Sequence, residues 1–179
     1  VTVDGAVRTH IHTFCDASEN ALGAAAYLLS ELANGDIVVN LIGAKTRVAP
    51  TKVVTMPRLE LLAAELASRL TVKVAADLGI DGVNCTLWSD STVVLAWLSK
   101  PASNWKIFVG NQCVQILERF SFKHWRHVPG TENVADHASR GLMISRLLSE
   151  PAWLQGPTFL HNPEEAWPLS PTPLFPDIC

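Results

Sequence analysis

Four acidic residues stand out because the sequence around them predicts buried or ordered chain, where carboxylates can do chemistry. Asp16 lies near the end of an apolar stretch, residues 9–18, that predicts a buried strand. Glu60 falls in the first turn of a predicted helix, Asp90 follows a second apolar strand, and Asp136 begins a short helix. If these acids converge on one edge of a sheet they repel one another, and two divalent cations would relieve the repulsion. Such oxygen ligands suit Mg²⁺ or Mn²⁺, and a metal pair can activate a water for phosphodiester cleavage.

Three of the four acids also have a purely structural explanation. Asp90 could cap the helix that follows it, and Asp136 could form a reciprocal capping pair with Asn133. Glu60 could simply favour the positive end of its helix. Asp16 has no such explanation, because it terminates a strand and no helix start is evident beside it. An unpaired charge buried there costs several kcal/mol, so a cation, a metal or a helix terminus is needed beside it.

The elements that must position these acids begin with a predicted meander of three strands. After the strand that carries Asp16, residues 21–30 are small and apolar, and an Asn-Gly-Asp turn at residues 34–36 separates them from residues 37–44. A helix over residues 21–32 is the alternative, because alanine and leucine favour helices.

A helix follows. Pro57 stands where its first residue should be, residues 59–78 show helical periodicity, and Gly79 closes it. One side of this helix combines Glu60 with small residues, namely Ala63, Ala64, Ala67 and Thr71. A face of small residues can approach a sheet closely, which would carry Glu60 toward the strand that holds Asp16.

The rest of the predicted domain alternates strands and helices. Strands are predicted at residues 83–88 and 122–128, helices at 92–98 and 104–120, and a short helix that opens at residues 133–136 and ends before Gly141. The succession of strand, helix and strand calls for a parallel neighbour of the first strand. Sites in open α/β sheets form at the carboxyl ends of parallel strands, which is where Asp16 and Asp90 are expected.

Composition limits the chain to one α/β domain with a short appendage. It has 179 residues, of which 48% are hydrophobic. We predict a domain over residues 1–142 and a proline-rich, partly docked tail or linker over residues 143–179. No apolar run is long enough to span a bilayer, and the start at Val1 suggests a piece of a longer polypeptide. The four cysteines show no C-x-x-C spacing, which favours reduced thiols in an intracellular domain.

The net charge of −3 does not exclude a nucleic-acid partner. Residues 143–179 hold one base and four acids, and the preceding residues balance. If several of the candidate metal-binding acids hold divalent cations, the face of the domain that carries them becomes positive and can accept a phosphate-rich ligand.

Several longer stretches resemble ribonuclease H, and in particular the ribonuclease H region of BEL/Pao-type retrotransposon polyproteins. The matching stretches are Phe14-Cys-Asp-Ala-Ser18, Ala44-Lys-Thr-Arg-Val-Ala-Pro50, Pro57-Arg-Leu-Glu-Leu-Leu-Ala-Ala64, Ser89-Asp-Ser91, Trp125-Arg-His-Val-Pro-Gly130, Asn133-Val-Ala-Asp-His-Ala-Ser-Arg-Gly141 and Trp153-Leu-Gln-Gly-Pro157. The resemblance implies an α/β fold of the ribonuclease H-like type, with a mixed five-stranded sheet in the order 3-2-1-4-5 and helices on both faces. It also implies endonucleolytic cleavage of the RNA strand of RNA–DNA hybrids during reverse transcription.

By position, the resemblance makes Asp16, Glu60, Asp90 and Asp136 the ligands of two Mg²⁺ ions, for which Mn²⁺ can substitute. His127 is the nearest match to a histidine that assists catalysis or product release; a core or strand-edge histidine is the alternative. Polar residues near the acids are candidate contacts to the hybrid, and these are Ser18, Asn20, Arg58, Ser91 and Arg140. The other histidines show no metal-ligand spacing with cysteine and are expected to be structural or solvated.

The expected partners are an RNA–DNA hybrid and the reverse transcriptase and integrase regions of the same polyprotein, with no membrane. The expected location is intracellular, in the cytoplasm or within a virus-like particle. An inactive spacer or nucleic-acid-binding module of the same fold is one alternative. Less favoured are an integrase-type core, which normally ends its acidic set with Glu, and an aspartic peptidase, whose Gly after Asp-Ser or Asp-Thr is missing.

Overall fold

Residues 5–169, which the computed structural model describes, form a mixed sheet flanked by helices on both faces. The strands are β1 (Ala6–Ala17), β2 (Ala21–Leu32), β3 (Ile37–Val48), β4 (Cys85–Ser89) and β5 (Trp125–His127). The helices are α1 (Met56–Leu78), α2 (Thr92–Leu98), α3 (Ile107–Arg119), α4 (Asp136–Arg140), α5 (Ile144–Leu148) and α6 (Pro151–Gln155). The strand order is β3-β2-β1-β4-β5, which confirms the predicted ribonuclease H-like sheet.

The meander of β1, β2 and β3 is antiparallel, and residues 21–32 form a strand rather than a helix. The helical alternative is wrong because β2 is covered on both faces, with residues 22–30 all buried. Small alanines suit a central strand that is packed between two layers.

Helix α1 confirms the predicted helix and its sheet-facing side. Gly79 ends it with a φ of 66°, a conformation that glycine adopts without strain. Ala63, Ala64 and Ala67 are fully buried, and the Thr71 hydroxyl donates a hydrogen bond of 2.7 Å to Thr13 on β1. The small side chains therefore let α1 pack directly on the sheet.

Two predicted elements begin later than expected. Residues 122–124 form a 3₁₀ turn, so β5 has only three residues. Residues 102–104 form another 3₁₀ turn, and extended backbone at Trp105 delays α3 until Ile107.

Residues 143–169 pack over the second face of the sheet. Helices α5 and α6 replace the extended backbone that the prolines suggested, and Pro151 occupies the first turn of α6. Buried aromatic and aliphatic side chains of this segment contact those of the sheet, and together they include Phe14, Tyr27, Trp88, Trp153, Phe159 and Leu160. The division of the chain at residue 142 stays a prediction. The last three prolines of the segment after it, at residues 171, 173 and 176, lie outside the described residues.

Cys15, Cys85 and Cys113 are free and buried, as predicted for core thiols, while Cys179 lies outside the described residues. Among the helices of residues 5–169, none is both long and apolar enough to cross a membrane.

Candidate active site

The parallel pairing of β1 with β4 sets Asp16 beside Asp90. Cys15 lies opposite Ser89, so the next residues, Asp16 near the end of β1 and Asp90 just after β4, lie at the same edge of the sheet. Ser89 in turn lies opposite His127 on β5. The carboxyl ends of three neighbouring strands therefore meet at one rim, as the sequence predicted for this fold class.

Glu60 reaches this rim from α1, but not from its first turn as the sequence predicted, because the helix begins already at Met56. The Ser91 hydroxyl donates a hydrogen bond of 2.6 Å to Glu60 Oε2 and accepts one of 3.2 Å from the Val94 amide. Ser91 is thus the N-cap of α2, a role that the sequence had left open for Asp90. Burial raises the pKa of Glu60, the Ser91 hydrogen bond opposes that rise, and the charge of Asp90 adds to it.

Asp136 is the first residue of α4, and Asn133 fixes the loop before it. The Asn133 amide donates a hydrogen bond of 2.9 Å to the Cys15 carbonyl, and its Oδ1 accepts one of 3.2 Å from the Ala135 amide. Asp136 forms an ion pair of 2.5 Å with Arg140 instead of the capping pair that the sequence allowed. The loop is therefore tied to the strand that carries Asp16.

The electrostatics show that the acids are close together. Burial raises the pKa of Asp16 to about 6; a hydrogen bond from Ser139 opposes that rise, and the charges of Asp90 and Asp136 add to it. Burial also raises the pKa of Asp90, a hydrogen bond from Asn133 opposes the rise, and the charge of Asp136 adds to it. The β1–β4 register, the Ser91 hydrogen bond to Glu60 and the Asn133 hydrogen bond to β1 place all four sequence-predicted acids at one rim.

The chemistry of this donor set fits Mg²⁺ or Mn²⁺. All four side chains offer hard oxygen atoms, and a bound dication would lower the pKa values that burial and mutual repulsion raise. Within residues 5–169, no three His, Cys, Asp or Glu side chains are arranged as a ready metal-binding group. Donors from the protein instead contact Asp16, Glu60 and Asp136, and these donors are Ser139, Ser91 and Arg140 respectively.

His127 is the last residue of β5 and is half-buried. Burial raises the pKa of Asp90, and the charge of the nearby His127 imidazole opposes that rise. The backbone of His127 is in the strand, as the sequence alternative held, and its role at the site stays a prediction. Gly130 approaches the same carboxylate, because a Cβ at this residue would lie 3.4 Å from Asp90 Oδ2.

Most of the five predicted substrate contacts already have partners within the domain. Ser18 donates a hydrogen bond of 2.7 Å to the Ser139 carbonyl, and Arg58 lies 5.3 Å from the centre of the Phe108 ring. Asn20 is exposed in the turn between β1 and β2. Ser91 and Arg140 contact acids of the site, as described above. Their contacts with a substrate stay predictions.

Ser139 is the main site residue that the sequence reasoning missed. It is 2% exposed and donates to Asp16 Oδ2 from α4. One signal was available, because a residue three positions after Asp136 shares its face of a helix. Its partner lies 123 positions away, which no local pattern reveals.

Solved structures of ribonucleases H are similar to this chain. RNase H1 from the archaeon Halobacterium salinarum is 21% identical, with 74% of this chain and 95% of that one covered and a TM-score of 0.45. The N-terminal RNase H domain of a Mycobacterium tuberculosis protein is 16% identical, with 79% and 99% covered and a TM-score of 0.48. LC11-RNase H1, in complex with an RNA/DNA hybrid, is 15% identical, with 78% and 99% covered and a TM-score of 0.47. No curated protein matches the chain.

A family model matches the first half of the sequence. Its description is Pao retrotransposon-like RNaseH-like domain, and the match covers residues 1–91. That range holds β1 to β4 and α1 together with Asp16, Glu60 and Asp90, whereas Asp136 lies beyond it. By this match, and in agreement with the sheet order and the acidic rim, the chain belongs to the Pao retrotransposon-like RNaseH-like domain family.

Proposed function

We propose that this domain is a metal-dependent endonuclease that cleaves the RNA strand of RNA–DNA hybrids during reverse transcription of a retrotransposon. The observation that carries the proposal is the gathering of Asp16, Glu60, Asp90 and Asp136 at one rim, where the pKa of the first three is raised, chiefly by burial. Acids that are costly to keep charged suit a site that takes up dications. Membership of the Pao family supports the retrotransposon setting.

In this proposal the four acids hold two Mg²⁺ ions, which supply an activated water and neutralise charge on the scissile phosphate. Ser91 and Ser139 hold Glu60 and Asp16 in place through their hydroxyl groups. We assign His127, which lies opposite Ser89 on the neighbouring strand, to assistance of catalysis or of product release. Together these residues orient the acids so that little rearrangement is needed when the substrate binds.

Recognition of the hybrid rests on its shape, its phosphates and the 2′-hydroxyls of the RNA strand rather than on base sequence. Arg58 and Arg140 are the cations nearest in sequence to the acids, and we assign them to phosphates, with Ser18, Asn20 and Ser91 as polar contacts. Arg140 is 74% exposed in its side chain and is able to exchange Asp136 for a phosphate. Binding should therefore weaken as salt rises.

We place the domain in a polyprotein beside reverse transcriptase and integrase regions, and in the cytoplasm or a virus-like particle. The family description supports a retrotransposon origin. It favours neither an integrase core nor an aspartic peptidase.

An inactive nucleic-acid-binding module is the second candidate function. The observation that favours it is that Asp16, Glu60 and Asp136 each already have a donor within the domain. If those contacts persist in the presence of Mg²⁺, the rim would hold little metal. The domain would then bind a hybrid without cutting it.

The test is cleavage of a hybrid whose RNA strand is end-labelled, by the 179-residue chain in Mg²⁺, in Mn²⁺ and in EDTA. We expect cleavage of the hybrid in either metal, none in EDTA, and none of the same RNA as a single strand. Asp90→Asn should abolish cleavage with the fold intact. Asp77→Asn is the matched control, because Asp77 is an exposed acid on α1 that pairs with Lys73. A folded chain that binds the hybrid without cutting it would establish the inactive module instead.

A further inference from the structure

The backbone of α4 packs directly against the backbone of the sheet. A Cβ on Gly23 of β2 would lie 2.7 Å from the Ser139 amide nitrogen and 2.9 Å from the Ala135 carbonyl oxygen. Real Cβ atoms do not approach backbone atoms so closely, so only glycine allows this position of α4. Gly23 is also the residue opposite Asp16 in the β1–β2 pairing.

Hydroxyl groups from two parts of the sheet hold the end of α4. Ser18, just after β1, donates a hydrogen bond of 2.7 Å to the Ser139 carbonyl, and Thr46 on β3 donates one of 2.9 Å to the Ala138 carbonyl. These carbonyls have no partner within a helix of five residues. So short a helix is not stable alone, and its position is therefore set by these contacts with the sheet.

Ser139 returns a hydrogen bond in the opposite direction. Its hydroxyl donates to Asp16 Oδ2, and the same oxygen lies 3.2 Å from the Asp136 carbonyl oxygen. The side chain is 2% exposed, so water does not compete for the hydroxyl. One buried hydroxyl thus contacts the carboxylate of one proposed metal ligand and the backbone of another.

We propose that Ser139 is a positioning residue of the metal site, which fixes the carboxylate of Asp16 relative to the helix that carries Asp136. This inference rests on the proposed function, because it concerns the same four acids. It adds a residue that binds no metal itself and acts through Asp16. A residue in this position typically changes metal affinity by about 10 to 100-fold when its hydrogen bond is removed.

The alternative is that Ser139 serves only to pack α4, and Thr46 provides the matched control. Thr46→Val removes a hydroxyl that anchors the same helix but does not contact Asp16. Ser139→Ala removes the hydroxyl that does. Comparison of the two variants separates the orientation of Asp16 from the general anchoring of α4.

The experiment is calorimetric titration of Mn²⁺ into the 179-residue wild-type chain, Ser139→Ala and Thr46→Val, with the Tm of each metal-free protein measured in parallel. We expect the Mn²⁺ affinity of Ser139→Ala to fall roughly tenfold and that of Thr46→Val to change less than about twofold, even where their Tm values fall equally. Should Ser139→Ala not fold, Ser139→Cys keeps nearly the same volume with a much weaker donor, and its affinity should also fall.

Two results would overturn the inference while leaving the proposed function standing. One is wild-type affinity in Ser139→Ala, or in Ser139→Cys if that variant has to be used. The other is an equal loss of affinity in Ser139→Ala and Thr46→Val that follows their loss of Tm, which would show anchoring of α4 alone. A wild-type chain that takes up no Mn²⁺ would instead overturn the metal site itself, and the inference with it.

Discussion

Cys15 of β1 lies directly opposite Ser89 of β4 in parallel register, and this single pairing places Asp16 and Asp90 side by side at the carboxyl ends of the two strands. Burial raises the pKa of both acids, and the charges of neighbouring carboxylates add to that rise. The metal-free rim therefore holds acids whose charges are unfavourable, which leads to the first two predictions.

Asp90→Asn should stabilise the metal-free domain. Burial and the charge of Asp136 disfavour the ionised form of Asp90, which raises its pKa, and asparagine removes that charge while it still accepts hydrogen bonds. We expect a gain of about 1 kcal/mol, which is a rise in Tm of roughly 2 to 4 °C. Thermal unfolding in EDTA measures it. Asp77→Asn, on the exposed side of α1, should leave Tm nearly unchanged, and a lower Tm for Asp90→Asn would contradict the explanation.

Mn²⁺ should stabilise the wild-type chain and not Asp90→Asn. A ligand that binds only the folded state adds about 2.7 kcal/mol at 100 times its Kd, which raises Tm by roughly 5 to 10 °C for a domain of this size. Thermal unfolding over a series of Mn²⁺ concentrations measures the effect, with Ca²⁺ as a comparison. An equal rise in both proteins would place the bound ion away from the rim.

The sequence predicted the acids and their edge of the sheet because each lies at a place with a local signal. Asp16 and Asp90 end apolar strands, Glu60 follows Pro57 at a helix start, and the strand, helix, strand succession requires parallel neighbours. These signals are periodicity and helix-end chemistry, which neighbouring residues determine.

What the sequence could not predict depends on contacts between remote residues. The hydroxyl of Ser139 reaches Asp16 across 123 positions, and Gly23, which α4 approaches closely, is also remote from α4 in the sequence. The segment after residue 142 was predicted as a partly docked tail, since its prolines suggest extended chain. The large aromatic core that Phe159 helps to form became visible only in three dimensions.

Phe159→Ala should destabilise the domain strongly, because the segment after residue 142 covers one face of the sheet. Phe159 is 5% exposed, and its ring centre lies 5.0 Å from that of Trp88. Loss of a buried phenylalanine costs about 3 to 5 kcal/mol. Chemical denaturation measures the change. The control is Phe122→Ala, because Phe122 is 39% exposed and its loss should cost much less.

A chain that ends at the predicted boundary, residues 1–142, offers a second check on the same surface. It would expose Phe14, Tyr27 and Trp88, all of which are fully buried. We expect this shortened chain to aggregate or to bind a hydrophobic dye. A soluble, cooperative fold would show that the docked segment is dispensable.

Acid should destabilise the domain through His10. Burial, together with the positive charges of Arg8, His124 and Arg126, lowers the pKa of His10 to about 4. Between pH 6.5 and about 4 the unfolded chain binds a proton that the folded chain does not, so stability is lost as pH falls, by up to about 1.4 kcal/mol per pH unit. The stability that neutral His10 contributes is complete above pH 6.5.

The measurement for His10 is the difference between two proteins, because Asp16 works in the opposite direction. The pKa of Asp16 is raised to about 6, so this group adds stability as pH falls toward 3.8 in both proteins. Denaturation at pH 7 and pH 4.5 should show a smaller loss in His10→Gln than in the wild type. The same loss in both would exclude His10 as the cause, and His161→Gln, at an exposed histidine, should behave like the wild type.

Gly23→Ala should disturb α4 and the metal site together, because the added Cβ would lie within 2.7 to 2.9 Å of α4 and the loop before it. Backbone cannot yield as a flexible side chain does, so the helix must move, at a cost of about 1 to 3 kcal/mol. Gly43→Ala is the matched control on β3, because its Cβ would lie 3.7 Å from the side chains of Leu70 and Val74, an ordinary contact distance.

Chemical denaturation and Mn²⁺ titration of both variants measure the two effects. We expect Gly23→Ala to lose stability and Mn²⁺ affinity while Gly43→Ala keeps both. If Gly23→Ala lost stability but bound Mn²⁺ as tightly as the wild type, the position of α4 would not control the acidic rim, and Asp136 could not be one of its metal ligands.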